Sequence, residues 1–143
     1  MLRNSKVIEV KSRQAELLAI FIPSDYSVIG IEFLTSASNS FQLGLMKRNS
    51  LTPSIPHSHN PLERKVIGTQ EFLLVRKGVM SIIIFDKDNT ECANLTLKSN
   101  DSVLLISGGH GITFSDDCEL LELKQGPYIA AEDKIEIHLD GND

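Results

Sequence analysis

The 143-residue chain has little of what marks several protein classes. It has no tryptophan, 6% aromatic residues and only two cysteines. The two thiols, Cys92 and Cys118, are too few and too far apart in sequence for the disulfide framework of a small secreted domain. We therefore interpret them as ordinary intracellular thiols.

The chain also lacks any run of lysine or arginine. Its 14 basic and 19 acidic residues give a formal net charge of −5. A protein that binds nucleic acid needs a basic patch to neutralise phosphates, and the sequence offers none. The composition thus argues against a nucleic-acid partner.

Long apolar runs are absent as well. The longest, Leu17–Ile22 and Ile82–Phe85, are far shorter than the roughly 18 residues that span a bilayer. The first residues mix polar and apolar side chains, unlike the apolar region of a signal peptide. We expect a soluble cytoplasmic protein with no membrane partner.

What the chain does contain is a series of short β-type segments bounded by Gly, Pro, Asn, Asp or Ser. About ten such strands at regular spacing predict an all-β sandwich or barrel in a single domain, 1–143. Arg13–Ile22 is ambiguous between a strand and a single helical turn, and Pro23 ends either element. The predicted segments are Lys6–Val10, Val28–Leu34, Phe41–Met46, Gln70–Val75, Val79–Phe85, Ala93–Leu97, Ser102–Ile106, Gly111–Phe114, Glu119–Leu123 and Ile135–Leu139.

Three histidines and a glutamate are the strongest candidates for chemistry. His57 and His59 lie two residues apart, so on a strand both rings would point to one side. Glu71 opens a predicted strand, and His110 lies in a glycine-rich turn. Three imidazoles and one carboxylate commonly bind Zn, Fe(II), Mn or Ni, whereas a lone histidine is more often a packing residue.

These residues resemble the motifs of the cupin superfamily. The first motif is similar to Pro56-His57-Ser-His59 followed by Glu71 and Gly78, although eleven residues separate His59 from Glu71. Glu63 fits the usual short gap and is the rival carboxylate, but no glycine follows it at the right distance. The second motif resembles Asn100-Asp101 through His110.

The resemblance covers about residues 41–128 and implies a double-stranded β-helix, or jelly-roll, barrel. It also implies a divalent transition metal held by His57, His59, Glu71 and His110. A narrower similarity, in Phe41–Met46, Ser107–Gly111 and Leu123–Tyr128, is to small single-domain cupins of surface-polysaccharide and nucleotide-sugar biosynthesis. The ligand that this similarity implies is a sugar or nucleotide sugar.

Four further residues are candidates for contact with a small-molecule ligand: Gln42, Arg64, Lys124 and Tyr128. Arg64 could bind an anion, although loop arginines are usually solvated. Glu122 and Lys124 share one face of a strand, which either faces solvent, the favoured alternative, or forms the wall of a pocket. His138 stands alone and is interpreted as a surface or packing residue.

Two classes of function remain open. The first is a metal-dependent cupin enzyme that acts on a small polar metabolite. The second is a non-catalytic binding module, with or without metal, that assists a partner enzyme. A homodimer is expected in either case, because terminal strands leave sheet edges to cover.

Overall fold

The computed structural model describes residues 5–115, 117–130 and 132–138. The fold is all-β, and the described residues form no helix. Within these residues, ten strands make three antiparallel sheets. The strands are β1 Ile8–Lys11, β2 Leu17–Ile22, β3 Gly30–Phe33, β4 Gly44–Lys47, β5 Glu71–Lys77, β6 Val79–Phe85, β7 Glu91–Lys98, β8 Ser102–Leu105, β9 Gly109–Phe114 and β10 Glu119–Lys124.

The chain divides into two compact units, and each is considered by itself. The first is drawn from Met1–Tyr26 and Thr69–Asp143, and the second from Ser27–Gly68. The first unit contains a five-stranded sheet in the order β1-β2-β8-β5-β10 and a three-stranded sheet in the order β7-β6-β9. The second contains the β3–β4 hairpin. The expectation of one domain with a core at 41–128 stays a prediction.

Both sheets of the first unit contribute to one hydrophobic core. In β6 the side chains of Met80, Ile82 and Ile84 are almost fully buried, while Ser81 and Ile83 between them are partly exposed. This alternation follows from the two-residue period of a strand. Each fully buried aliphatic side chain contributes about 1.5–3 kcal/mol to the stability of the folded state.

Of the ambiguous segment Arg13–Ile22, residues 17–22 form a strand and residues 13–14 a turn. β2 lies between β1 and β8 and pairs with both. Five of its six residues, Leu18 to Ile22, are buried. A continuous apolar run suits such a strand because both of its faces are covered, and this explains why no alternation was visible in the sequence.

The last predicted strand, Ile135–Leu139, is wrong over 135–138, which have no regular structure; Leu139 lies outside the described residues. A strand needs a neighbour for its backbone hydrogen bonds, and no strand pairs with this segment among the residues the structure covers. Instead, the side chain of Ile137 packs where Gly109 leaves space, because a Cβ at Gly109 would collide with it.

Residues 86–89 form a turn. It joins β6 to β7, and the buried Asp86 carboxylate accepts hydrogen bonds from the amides of Asp88 and Thr90, at 3.0 and 2.9 Å. Asn89 adopts a left-handed conformation with φ of 59°, which asparagine tolerates better than most residues.

In the part of the chain that the structure describes, no helix has the length and apolarity needed to cross a membrane.

Candidate functional site

The strand registers place Glu71 on the core-facing side of the five-stranded sheet. Glu71 is paired with Leu105 on one side and with Lys124 on the other, and residues paired across strands point to the same face. Leu105 belongs to the hydrophobic core. The side chains of Glu71 and Lys124 therefore point toward the same side as the core.

His110 has the equivalent position on the three-stranded sheet. It lies in β9 and is paired with Ile84 of β6, whose side chain is part of the core. Two residues further on, Ile112 is paired with Ile82 and packs against the same core. The imidazole thus points from its sheet into the space between the two sheets.

The two side chains meet there. His110 Nε2 lies 3.3 Å from Glu71 Oε2, with side-chain exposures of 32% and 15%. The pair is half-buried, at a place where solvent still reaches it. Two residues that are 39 positions apart in sequence therefore form one polar pair at the border of an apolar core.

The glycines before His110 determine how closely β9 approaches β6. Gly108 has φ of +75°, and a Cβ at this position would collide with the carbonyl oxygen of Phe85. Only glycine combines this conformation with so close a backbone approach. The turn therefore requires glycine for structural reasons, and it fixes the start of the strand that carries His110.

Lys124 and Tyr128 extend the polar region along β10. The Lys124 ammonium lies 5.0 Å from the centre of the Tyr128 ring, a cation–π distance. It also lies 3.9 Å from a carboxylate oxygen of Glu122, which is paired with the core residue Leu73 and shares its face. The registers place Glu122 and Lys124 on the face of the sheet that carries the core residue Leu73, where the Glu122 side chain is still 48% exposed. Glu122 was not among the predicted ligand contacts. The apolar Leu120, which shares its face and packs against the core, was the feature of the sequence that indicated a core-facing position.

His57 and His59 lie in the second unit, in an exposed segment without regular structure rather than on a strand. Their rings are nevertheless adjacent, with centroids 5.2 Å apart and an edge-on arrangement. His57 Nδ1 lies 2.8 Å from the carbonyl oxygen of Ile55. A carbonyl only accepts hydrogen bonds, so Nδ1 carries the proton and Nε2 of the neutral ring keeps a lone pair for a metal or ligand.

The other predicted contacts, Gln42 and Arg64, are engaged within the second unit. The Gln42 amide donates to the carbonyl oxygens of Ser36 and Asn39, both at 2.9 Å. Arg64 Nη1 donates to the carbonyl oxygen of Leu62 at 3.4 Å. Both side chains are exposed, as is the rival carboxylate Glu63. Their role in ligand binding stays a prediction.

The distance between the Glu71 and His110 donor atoms is compatible with two ligands of one metal ion. Two donors at about 2.1 Å from one ion, at angles between tetrahedral and octahedral, lie roughly 3.0–3.4 Å apart. The distance of 3.3 Å between Glu71 and His110 has this value. Among the described residues, no three His, Cys, Asp or Glu side chains form a group that could hold a metal ion. The four-ligand set therefore stays a prediction, and within the first unit the structure brings together Glu71 and His110.

Comparison with known proteins gives no match: no family model, curated protein or solved structure is significantly similar to this chain.

Proposed function

We propose that the chain is a cupin-like protein that binds a small polar metabolite beside the Glu71–His110 pair. The observation that carries the proposal is the 3.3 Å contact between these side chains from two opposing sheets, at the border of the core. Ligand pockets are mostly apolar with a few convergent polar groups. Glu71, His110 and Lys124 are such groups.

The sequence motif further predicts that His57, His59, Glu71 and His110 are the ligands of a divalent transition metal. This prediction rests on the order of the residues in the sequence. The distance between Glu71 and His110 is that of two ligands of one ion, and the hydrogen bond of His57 Nδ1 leaves the lone pair of the neutral ring on Nε2. Imidazole and carboxylate ligands suit Zn, Fe(II), Mn and Ni. Such an ion, when bound, supplies Lewis-acid polarisation or an activated water.

Lys124 and Tyr128 are proposed to contact the ligand itself. Lys124 is cross-strand neighbour to Glu71, so a ligand that touches the Glu71–His110 pair comes within reach of its ammonium. Tyr128 adds a ring and a hydroxyl beside it. A sugar or nucleotide sugar, with hydroxyls as donors and acceptors, is the ligand class to test first.

The proposal is tested by measuring the metal content of the purified chain by plasma mass spectrometry, after reconstitution with each of the four metals. We expect close to one equivalent in the wild type and a large loss in Glu71→Gln, which keeps the shape of the side chain but removes its charge. Glu63→Gln is the matched control and retains the metal. The double variant His57→Ala, His59→Ala loses it.

Two results would overturn parts of the proposal. Retention of metal by Glu71→Gln together with its loss from Glu63→Gln would transfer the carboxylate role to Glu63. A wild type that binds none of the four metals would exclude the metal-dependent function and leave the alternative, a metal-free binding module. In that case, stabilisation by nucleotide sugars in a thermal-shift screen, reduced in Lys124→Met and unchanged in Lys98→Met, would identify the pocket.

A further inference from the structure

Strand β10 is an edge strand with an apolar outer face. It ends the five-stranded sheet, and among the described residues only β5 pairs with it. Leu121 and Leu123 point away from the core-facing side and are 53% and 60% exposed. A free edge of this kind is a template for pairing with another strand.

The apolar surface continues onto the neighbouring strand. Leu121 is paired with Leu74, and Leu123 with Phe72; Leu74 and Phe72 are only partly buried. Four adjacent apolar side chains with incomplete burial form a patch of the sort found at protein interfaces. The free backbone edge therefore lies on β10, beside a patch that spans β10 and β5.

The charges of β10 indicate which strand would pair with it. Glu122 and Lys124 lie on either side of Leu123 and share the opposite, core-facing side of the sheet. A two-fold axis through an antiparallel pair of β10 strands at Leu123 would place Glu122 directly opposite the partner subunit's Lys124, twice. Opposite charges at such positions stabilise a sheet, whereas like charges destabilise it.

Other registers are less favourable. Residues opposite each other in an antiparallel pair share one face of the sheet. A two-fold axis must therefore lie where a residue faces its own copy, and alternative registers place it at other single residues of β10. An axis at Glu122 would place two glutamates opposite each other, and an axis at Leu121 would place Glu122 opposite Leu120. Only the axis at Leu123 matches both charges and places leucine against leucine on the outer face.

We propose that two copies of this chain associate through antiparallel pairing of their β10 strands, centred on Leu123. The two five-stranded sheets then form one continuous sheet. Glu122 and Lys124 share the face that carries Glu71, so the partner subunit's Lys124 adds a cation to the wall of the candidate site. The proposal does not depend on the bound metal or on the identity of the ligand.

Disulfide trapping tests the register. In a Cys92→Ser, Cys118→Ser background, Leu123→Cys places two thiols opposite each other, and we expect a cross-linked dimer on mild oxidation. Leu121→Cys is the matched control, because it lies on the same strand face with similar exposure. In the proposed register its two copies are about four residues, roughly 14 Å, apart, beyond the separation of about 7 Å that a disulfide bridges.

Charge exchange in the wild-type background tests the same pairing without introduced cysteines. Glu122→Lys and Lys124→Glu each place like charges opposite each other twice, and we expect each to weaken dimerisation roughly tenfold or more in sedimentation equilibrium. The double variant restores the pairs and the dimer. A chain that is monomeric at every accessible concentration, equal cross-linking of the two cysteine variants, or no restoration in the double variant would overturn the proposal.

Discussion

At the scale of single residues, the ion pair between Glu16 and Lys87 shows how a surface contact links stability to pH. Lys87 Nζ lies 2.9 Å from Glu16 Oε1. The hydrogen bond from this ammonium, aided by its charge and by Ser107, holds the pKa of the Glu16 carboxyl below its ordinary value of 4.5. A lowered carboxyl pKa means that the folded state favours the charged form.

The pair therefore stabilises the protein at neutral pH and loses this effect as the pH falls through the lowered pKa. We expect Lys87→Gln to reduce the midpoint of thermal unfolding slightly at pH 7, because the pair is largely exposed and screened by salt. The difference from the wild type should shrink below about pH 4.5. Lys77→Gln, at an exposed lysine for which the structure describes no ion pair, is the control. A difference that is independent of pH would contradict this account.

At the scale of elements, the turn between β8 and β9 controls the position of His110. Gly108 combines φ of +75° with a backbone approach to Phe85 that leaves no room for a side chain. A left-handed conformation costs a non-glycine residue about 1–2 kcal/mol even without a collision. Because β9 starts directly after this glycine, a change there displaces the strand that carries the imidazole.

We predict that Gly108→Ala lowers the free energy of unfolding by at least about 2 kcal/mol in urea denaturation. It should also weaken binding of metal or ligand at the candidate site. Gly111→Ala, within β9 and with open space around its Cβ position, should change stability by less than about 0.5 kcal/mol. Equal effects of the two substitutions would show that the turn does not constrain β9.

Alternating patterns in the sequence do not all form strands. β6 alternates buried and partly exposed residues, and its predicted bounds, Val79–Phe85, are those of the structure. Ile135–Leu139 alternates equally well but has no strand to pair with among the described residues. Alternation thus describes a residue's preference, whereas a strand also requires a neighbour, which local sequence does not reveal.

At the scale of the whole molecule, the sequence indicates which residues are candidates for the site but not which of them meet. Residue chemistry singled out Glu71 and His110, but their contact depends on two sheets facing each other, and no spacing in the sequence encodes that distance. The two-residue spacing of Glu122 and Lys124 placed them on one face of a strand but did not show which face meets the core. The pairing of Lys124 with Glu71 supplies that information.

The central claim is that Glu71 and His110 belong to one ligand-binding site, and the sequence predicts His57 and His59 as its further metal ligands. X-ray absorption spectroscopy of the zinc-loaded chain tests it most directly, because the spectrum reports the number of imidazole ligands. The account predicts three imidazoles and carboxylate oxygen at about 2.0–2.2 Å, with two imidazoles in His110→Ala. A sulfur ligand at about 2.3 Å, or an unchanged imidazole count in His110→Ala, would contradict it.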